Sequence, residues 1–447
     1  MADGAKPNPA DLGARAAIRA MAAGELQASD LVAACLERIG DDPLRAWVHV
    51  DRDGALRAAA ALDAHRRRGL PLGPLHGLPV GVKDIIDVAG MPGENGSPVD
   101  AGRVPRADAT VVRRLRGAGA IVLGKTVTTE LAGAPPSHTV NPHDATRTPG
   151  GSSAGSAVAV AAGHVPLALG TQTNGSVIRP ASFCGTVGYK PSFGAIPRTG
   201  VLGVSTSLDH IGLFARETLD ATLLEHLAGP DGEDDRALPH GLPLAATAAG
   251  APPLPPVLGF FEGPTWSAAE PYVAEAFSEL TAAIPGTVHH LATPSALAEI
   301  AALIRIVMVA EGTHLLGHYV ARGGERTDPH YHRMVADAAT LPATEYLRAR
   351  ALQPRLAAAM GEIFEEVDAL LTPAAAGEAP GPETTGNPAF CSLWSFTGLP
   401  AITLPLLTGP SGLPVGVQLV GPPGDDARLI RTARWLVASL RAEGDPS

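Results

Sequence analysis

Two glycine-flanked serines, Ser152 in TPGGSSAG and Ser176 in TQTNGSV, stand 24 positions apart around one small-residue helix and one apolar strand. Upstream, Lys83 closes the apolar segment LPVGVK. These residue types suit acyl transfer. An amide carbonyl is weakly electrophilic and its nitrogen leaves badly. A catalyst must therefore supply a nucleophile, a base, donors for the developing oxyanion and an acid for the nitrogen. Ser176 follows Thr173-Asn174-Gly175 at the end of an apolar strand, in a turn whose successive backbone N–H groups can converge on one spot. No histidine near Ser176 in sequence recommends itself as the base. A lysine can take that part only when neutral, and burial lowers a lysine pKa. Lys83, between strand and loop, could meet such a setting; taken alone, it reads as an ordinary strand-end lysine.

The elements that must position these groups alternate. Residues 10–39 carry helical spacing broken near Gly24, with Ser29-Asp30 as N-cap and first turn, and a second helix covers about 52–67. LPVGVKDI (78–85), AIVLG (120–124) and VPLALGTQ (165–172) read as buried strands, separated by helices at 108–116 and 154–162. A Pro/Gly/Ala-rich connector spans 229–257. A strand at 257–261 and helices near 268–283, 295–319 and 343–366 follow it. DALLTP, LPAITLP and LPVGVQLVG are strand-like, and a last helix runs over about 426–441. Strands alternating with helices predict an α/β fold with helices on both faces of the sheet.

The segments LHGLPVGVKDIIDVAGMP, NPHDATRTPGGSSAGSAVAVAAG, GTQTNGSVIRPASFCGTVGYKPSFG and GLPAITLP, in that order, resemble the blocks of the amidase signature family across nearly the whole chain. The resemblance implies one amidase signature domain over 1–447, a large mixed β-sheet sandwiched by helices. Its core lies at about 60–225 and 366–447, and a variable, substrate-covering segment at about 260–365. It implies Ser176 as nucleophile, Ser152 as a bridging serine held by a cis peptide bond, and Lys83 as the base. It further implies an oxyanion hole from the N–H groups of Thr173, Asn174, Gly175 and Ser176, with Ser153 and Gly151 in support. Neither cofactor nor metal is expected.

The match has departures. Where the family often reads GTDxGGSIRxP, this chain reads GTQTNGSVIRP. Gln172 replaces an acid, Asn174 replaces a glycine, and the arginine moves one place to Arg179. The GKTNMDEF-like string of glutamine amidotransferase A subunits is here GKTVTTEL. Two other motifs are decoys. Gly119 to Thr126 fits a phosphate-loop expression, but Ile121-Val122-Leu123 is itself strand. Glu311, His314 and His318 share a helical face without the HExxH order, so a helix surface outweighs zinc. His330-Tyr331-His332 reads as a solvated loop.

The substrate pocket is expected to draw on Thr128, Thr129 and Arg179, and on the stretch beyond 262, with Met308, His314, Tyr346 and Trp394. That is apolar surface enough for a small neutral or aryl amide or a carbamate (urethane), with water as co-substrate. A glutamine-hydrolysing amidotransferase A-type subunit is the alternative, and an idle amidase-like binding module a third reading. The formal charge of −11 disfavours nucleic acid and anionic membrane as partners. Three widely spaced cysteines argue against a disulfide framework. The polar N-terminus and the lack of an apolar run of about 18 residues give a cytoplasmic expectation. A monomer or homodimer is expected.

Overall fold

In the computed structural model, which describes residues 8–234 and 236–443, eleven strands form one mixed sheet. The strands are β1 (Trp47–Val50), β2 (Pro79–Lys83), β3 (Ile121–Thr126), β4 (Leu167–Gln172), β5 (Val187–Lys190) and β6 (His210–Ala215) in the first half. In the second half they are β7 (Leu258–Phe261), β8 (Val288–Leu291), β9 (Ala369–Pro373), β10 (Ala401–Thr408) and β11 (Pro414–Val420). Their order across the sheet is β1-β3-β2-β4-β6-β5-β10-β11-β9-β7-β8.

The parallel trio β3-β2-β4 ends β2 on Lys83 and leads from β4 into the turn that holds Ser176. Every residue of these three strands is buried, as expected of parallel strands covered on both faces by crossover helices. Val80 and Val82 are fully enclosed, each worth about 1.5–3 kcal/mol of hydrophobic burial. Lys83 is the last residue of β2 and cannot leave that interior, because the two valines before it anchor its strand.

The small-residue helix Ala154–Ala161 packs into the same layer; seven of its residues, Ala154 through Val160, are buried. Its side chains must be small for a concrete reason. A Cβ at Gly155 would stand 2.2 Å from the carbonyl oxygen of Ala46 and 2.3 Å from the nitrogen of Val127. The helix therefore approaches the sheet closely enough to hold Ser152 and Ser153, which precede it, against β4.

The sequence reading places most elements within a few residues; three differences have physical causes. The first helical region splits as expected at Gly24, which is left-handed (φ 79°), into Ala14–Ala23 and Ala28–Ile39. Its second helix is capped from outside, by Asp63 accepting from Ala28 N and Ser29 N, and not by Ser29. The polar stretch around His330 is the helix Pro329–Thr340, started by proline at its first position and by the Asp328 side chain accepting from His330 N. The helix Ile300–Gly323 lies in a helical stretch (Ser295–Arg326) that is apolar and long enough to cross a membrane by composition. It packs along the helices Pro329–Thr340 and Ala343–Glu362, and its Ile300, Leu303, Ile304 and Val307 join a buried cluster with Phe261, Leu356 and Trp394.

Candidate active site

Lys83 Nζ lies 2.7 Å from Ser152 Oγ and 2.8 Å from Thr171 Oγ1, with no solvent exposure. Burial pushes the Lys83 amine well below the ordinary lysine value of 10.5, and the negative charge of Asp209 opposes that fall. The Gly151–Ser152 peptide bond is cis. Ser153 Oγ bonds the main chain of Thr171, donating to its carbonyl (3.1 Å) and accepting from its N–H (3.3 Å). Thr171 thus joins Lys83, Ser153 and the strand that runs on to Ser176.

The turn after β4 presents its backbone inward. Among the described residues, the N–H groups of Thr173, Asn174, Gly175 and Ser176 donate to no protein acceptor. The next two, Val177 and Ile178, both donate to Gln172 Oε1, at 2.9 and 3.0 Å. A row of four unsatisfied donors is uncommon in a protein interior and suits a developing negative charge. At Gly175 a Cβ would crowd Pro388 and Cys391 at 3.1–3.3 Å, tighter than an ordinary van der Waals contact. Behind the turn, Thr173 Oγ1 donates to Asp209 Oδ1 (2.6 Å), and Asp209 Oδ2 accepts from the N–H groups of Val204 and Ser205.

Ser176 opens on a cavity of about 780 Å³. Its walls are largely apolar, with Phe261, Ile304, Met308, Met334, Phe390 and Trp394, and Arg305 pairs with Asp337 on its exposed side. The structure brings Lys83 and Ser152 into a hydrogen bond; between Ser152 and Ser176 there is none. Thr173, Asn174, Ser176 and Arg179 all line the cavity. Thr128 and Thr129 do not: their hydroxyls donate to the carbonyls of Thr129 and Gly133, and the wall on that side is Ala132, Gly133 and Ala134. The chain turns through positive φ at Leu131 and Ala132, carrying these later residues to the surface that the threonines were expected to form. Of the other expected lining residues, Met308 and Trp394 face the cavity. His314 and Tyr346 line a separate surface groove.

Arg179 sits in this cavity wall, buried, without a carboxylate partner among the described residues. It donates to the carbonyls of Gly386 (2.8 Å) and Gly151 (2.7 Å), and burial lowers its pKa to about 10. Lys125 of the phosphate-loop look-alike is committed to a buried ion pair with Asp84 at 3.0 Å. Glu311 accepts from Ser205, Ser207 and Tyr346, while His314 and His318 face solvent. Among the described residues no cluster of three or more His, Cys, Asp or Glu side chains could hold a metal ion.

This geometry meets a clear family signal. The Amidase family model matches residues 30–430. The chain belongs to the amidase family. The glutamyl-tRNA(Gln) amidotransferase A subunit of Chloroflexus aggregans is 36% identical to it, over 93% of this chain and 94% of the relative. The protein of the same name from Anaeromyxobacter sp. is 35% identical, over 96% of each. Among solved structures, one described as "An unexpected vestigial protein complex reveals the evolutionary origins of an s-triazine catabolic enzyme" superposes with a TM-score of 0.87. It is 29% identical and covers 97% of this chain and 99% of its own. The native peptide amidase from Stenotrophomonas maltophilia superposes with a TM-score of 0.79 at 29% identity, covering 96% and 97%. The mixed sheet with flanking helices is accordingly the amidase signature fold, as the sequence reading expected.

The sequence reading missed the helix Ala389–Thr397, whose Ser392 and Ser395 bond Asn174 in the turn before Ser176. Its buried, aromatic composition gives a core signal, and nothing local ties those serines to residues more than two hundred positions away.

Proposed function

We propose that this protein is an amidohydrolase that cleaves carbon–nitrogen acyl bonds through an acyl-enzyme on Ser176. The observation that carries the reading is a fully buried amine, kept below its ordinary pKa, bonded to the hydroxyl of Ser152. Neutral Lys83 draws a proton from Ser152 as Ser152 takes one from Ser176. Ser176 Oγ then attacks the substrate carbonyl, whose oxygen gathers negative charge facing the N–H row of residues 173–176. Collapse of that intermediate breaks the C–N bond, and the proton returns through Ser152 to the departing nitrogen. Water, activated along the same path, hydrolyses the acyl ester and restores Ser176. Gly151 and Ser153 hold Ser152 in place in this scheme.

Two readings divide the acyl donor. The curated relatives, which carry the name of an amidotransferase A subunit, favour glutamine hydrolysis with partner chains, and the comparisons support that reading better. A small neutral amide, urea-type compound or aryl carbamate is favoured by the largely apolar cavity wall, where buried Arg179 is engaged by carbonyls and the other cations, Arg305 and Arg333, are exposed. The replacement of GKTNMDEF by GKTVTTEL points the same way.

One experiment separates them: purified protein assayed against glutamine, short aliphatic amides, ureas, anilides and aryl carbamates, with Ser176→Ala as control. Turnover of glutamine alone, or only after a partner chain co-purifies, establishes the amidotransferase reading. Turnover of neutral amides or carbamates by the isolated chain establishes the other. A Ser176→Ala protein as active as the wild type would refute the acyl-enzyme itself.

A further inference from the structure

Three residues of the nucleophile segment depart from the family pattern, and all three reach the same stretch of chain, 384–397. Gln172 Nε2 donates to Ser395 Oγ at 3.0 Å, and Ser395 Oγ donates to the carbonyl of Asn174 at 2.6 Å. The Asn174 side-chain carbonyl is bonded by Ser392 Oγ. Arg179 donates to Gly386 O and Thr385 Oγ1. Gln172 and Ser395 are buried at 0% and 1% exposure, so water does not compete for these bonds.

We infer that Gln172 and Ser395 are positioning residues that set the peptide planes of the oxyanion turn, with Ser392 assisting through Asn174. The inference rests on the reading of Ser176 as nucleophile. Gln172 has one acceptor and one donor end, and both are used. Its Oε1 takes the N–H groups of Val177 and Ile178, just beyond Ser176, and its Nε2 orients the Ser395 hydroxyl. That hydroxyl has a single proton. Because it accepts from Gln172, it must give its proton to Asn174 O. The Asn174 carbonyl belongs to the peptide whose N–H is that of Gly175, so fixing the carbonyl outward turns the N–H inward. A carboxylate at 172 could accept from the two N–H groups but could not donate to Ser395. The serine proton would then turn to the carboxylate and release Asn174. The neutral amide at 172 is thus matched to a serine at 395, and the pair bolts the helix Ala389–Thr397 to the catalytic turn.

The test uses the full chain and reads Ser176 directly through its labelling rate with a fluorophosphonate, which needs no knowledge of the substrate. Ser395→Ala and Gln172→Glu are each expected to label roughly 3–10-fold more slowly than wild type, measured at a temperature where all the proteins are folded, because the lost buried hydrogen bonds also lower the melting temperature. Ser395→Thr, which keeps the hydroxyl, is expected to restore the rate. On any substrate found, the loss should fall on kcat with KM unmoved. Wild-type labelling of Ser395→Ala or Gln172→Glu overturns the inference and leaves the acyl-enzyme reading intact. So does a loss that threonine does not restore. If Ser395→Ala does not fold, Gln172→Glu, which keeps the side-chain volume, decides. Wild-type protein that is folded and does not label at Ser176 defeats the acyl-enzyme reading, and this inference with it.

Discussion

Lys83 Nζ and Ser152 Oγ meet at 2.7 Å in a part of the molecule closed to water, with exposures of 0% and 1%. The amine has hydroxyl partners, Ser152 and Thr171, in place of a bonded carboxylate. An ammonium in that setting lacks the charge partner that would offset its desolvation, which is why burial lowers its pKa.

Replacing the amine tests both its chemistry and its cost. Lys83→Met is expected to lower turnover by about 10²–10⁴-fold, the usual worth of a general base. The stability consequence has the opposite sign. Below pH 10.5 the unfolded chain binds a proton on this lysine, whereas the native amine takes one up only at its lowered value. Wild-type stability from this group is therefore whole above 10.5 and is lost as pH falls toward the native pKa. Lys83→Met should gain in melting temperature relative to wild type as pH drops through that window. Parallel curves for the two proteins would show that the lysine is charged in the native state.

The pH dependence of activity carries the same physics. The ratio kcat/KM should rise with pH through the lowered Lys83 pKa and level off well below 10.5. The Asp209 carboxylate holds that pKa up by its charge. Asp209→Asn should therefore move the rising limb to lower pH, whatever it does to the plateau by rearranging the contacts with Thr173, Val204 and Ser205. A limb that stays put, or moves upward, would exclude Lys83 as the titrating group.

Much of this was legible in sequence, for an identifiable reason. Lys83, Ser152 and Ser176 were expected from ordered blocks that resemble the amidase signature family, since Lys83 taken alone reads as an ordinary strand-end lysine. The strands β2, β3 and β4 announce themselves as continuous apolar runs. What sequence does not carry is pairing across distance. Gln172 and Ser395 are 223 positions apart, and each looks unremarkable alone. Thr128 and Thr129 failed as cavity residues because a turn at positive φ, Leu131-Ala132, hands the wall to the residues beyond them. The helix Pro329–Thr340 was hidden by its polar composition. Its buried Tyr331, donating to the carbonyl of Glu130, ties it to that same turn.

Arg179 fastens two loops at once, through the carbonyls of Gly151 and Gly386. A lysine has the charge but not the planar fork that reaches both. Arg179→Lys is expected to lose about tenfold in kcat, since one of the two hydrogen bonds that tie the Ser152 loop to the Gly386 loop goes unmade. Arg179→Met strands the buried Gly151 carbonyl, at about 1–3 kcal/mol, and releases the half-buried Gly386 carbonyl to water, so it should lower the urea midpoint. Unfolding curves and initial rates on the same preparations separate the two effects. Unchanged kcat in a folded Arg179→Lys protein would remove Arg179 from the site.

The cavity makes the most direct statement about substrate size. Met308 projects from the helix Ile300–Gly323 into a space of about 780 Å³ that begins at Ser176. A short aliphatic amide fills a small part of such a volume, whereas an anilide or aryl carbamate has an apolar group for the wall that Phe261, Met308 and Trp394 help to form. Met308→Trp fills that wall and leaves Lys83, Ser152 and Ser176 unchanged. The variant should lose at least about tenfold in kcat/KM toward aryl substrates, the scale on which a pocket rejects excess bulk. Toward short amides it should change by less than about threefold, because their contacts lie near the turn at 173–176. Equal losses on both substrate classes would mean that Met308 supports the helix packing and that the aryl group binds elsewhere.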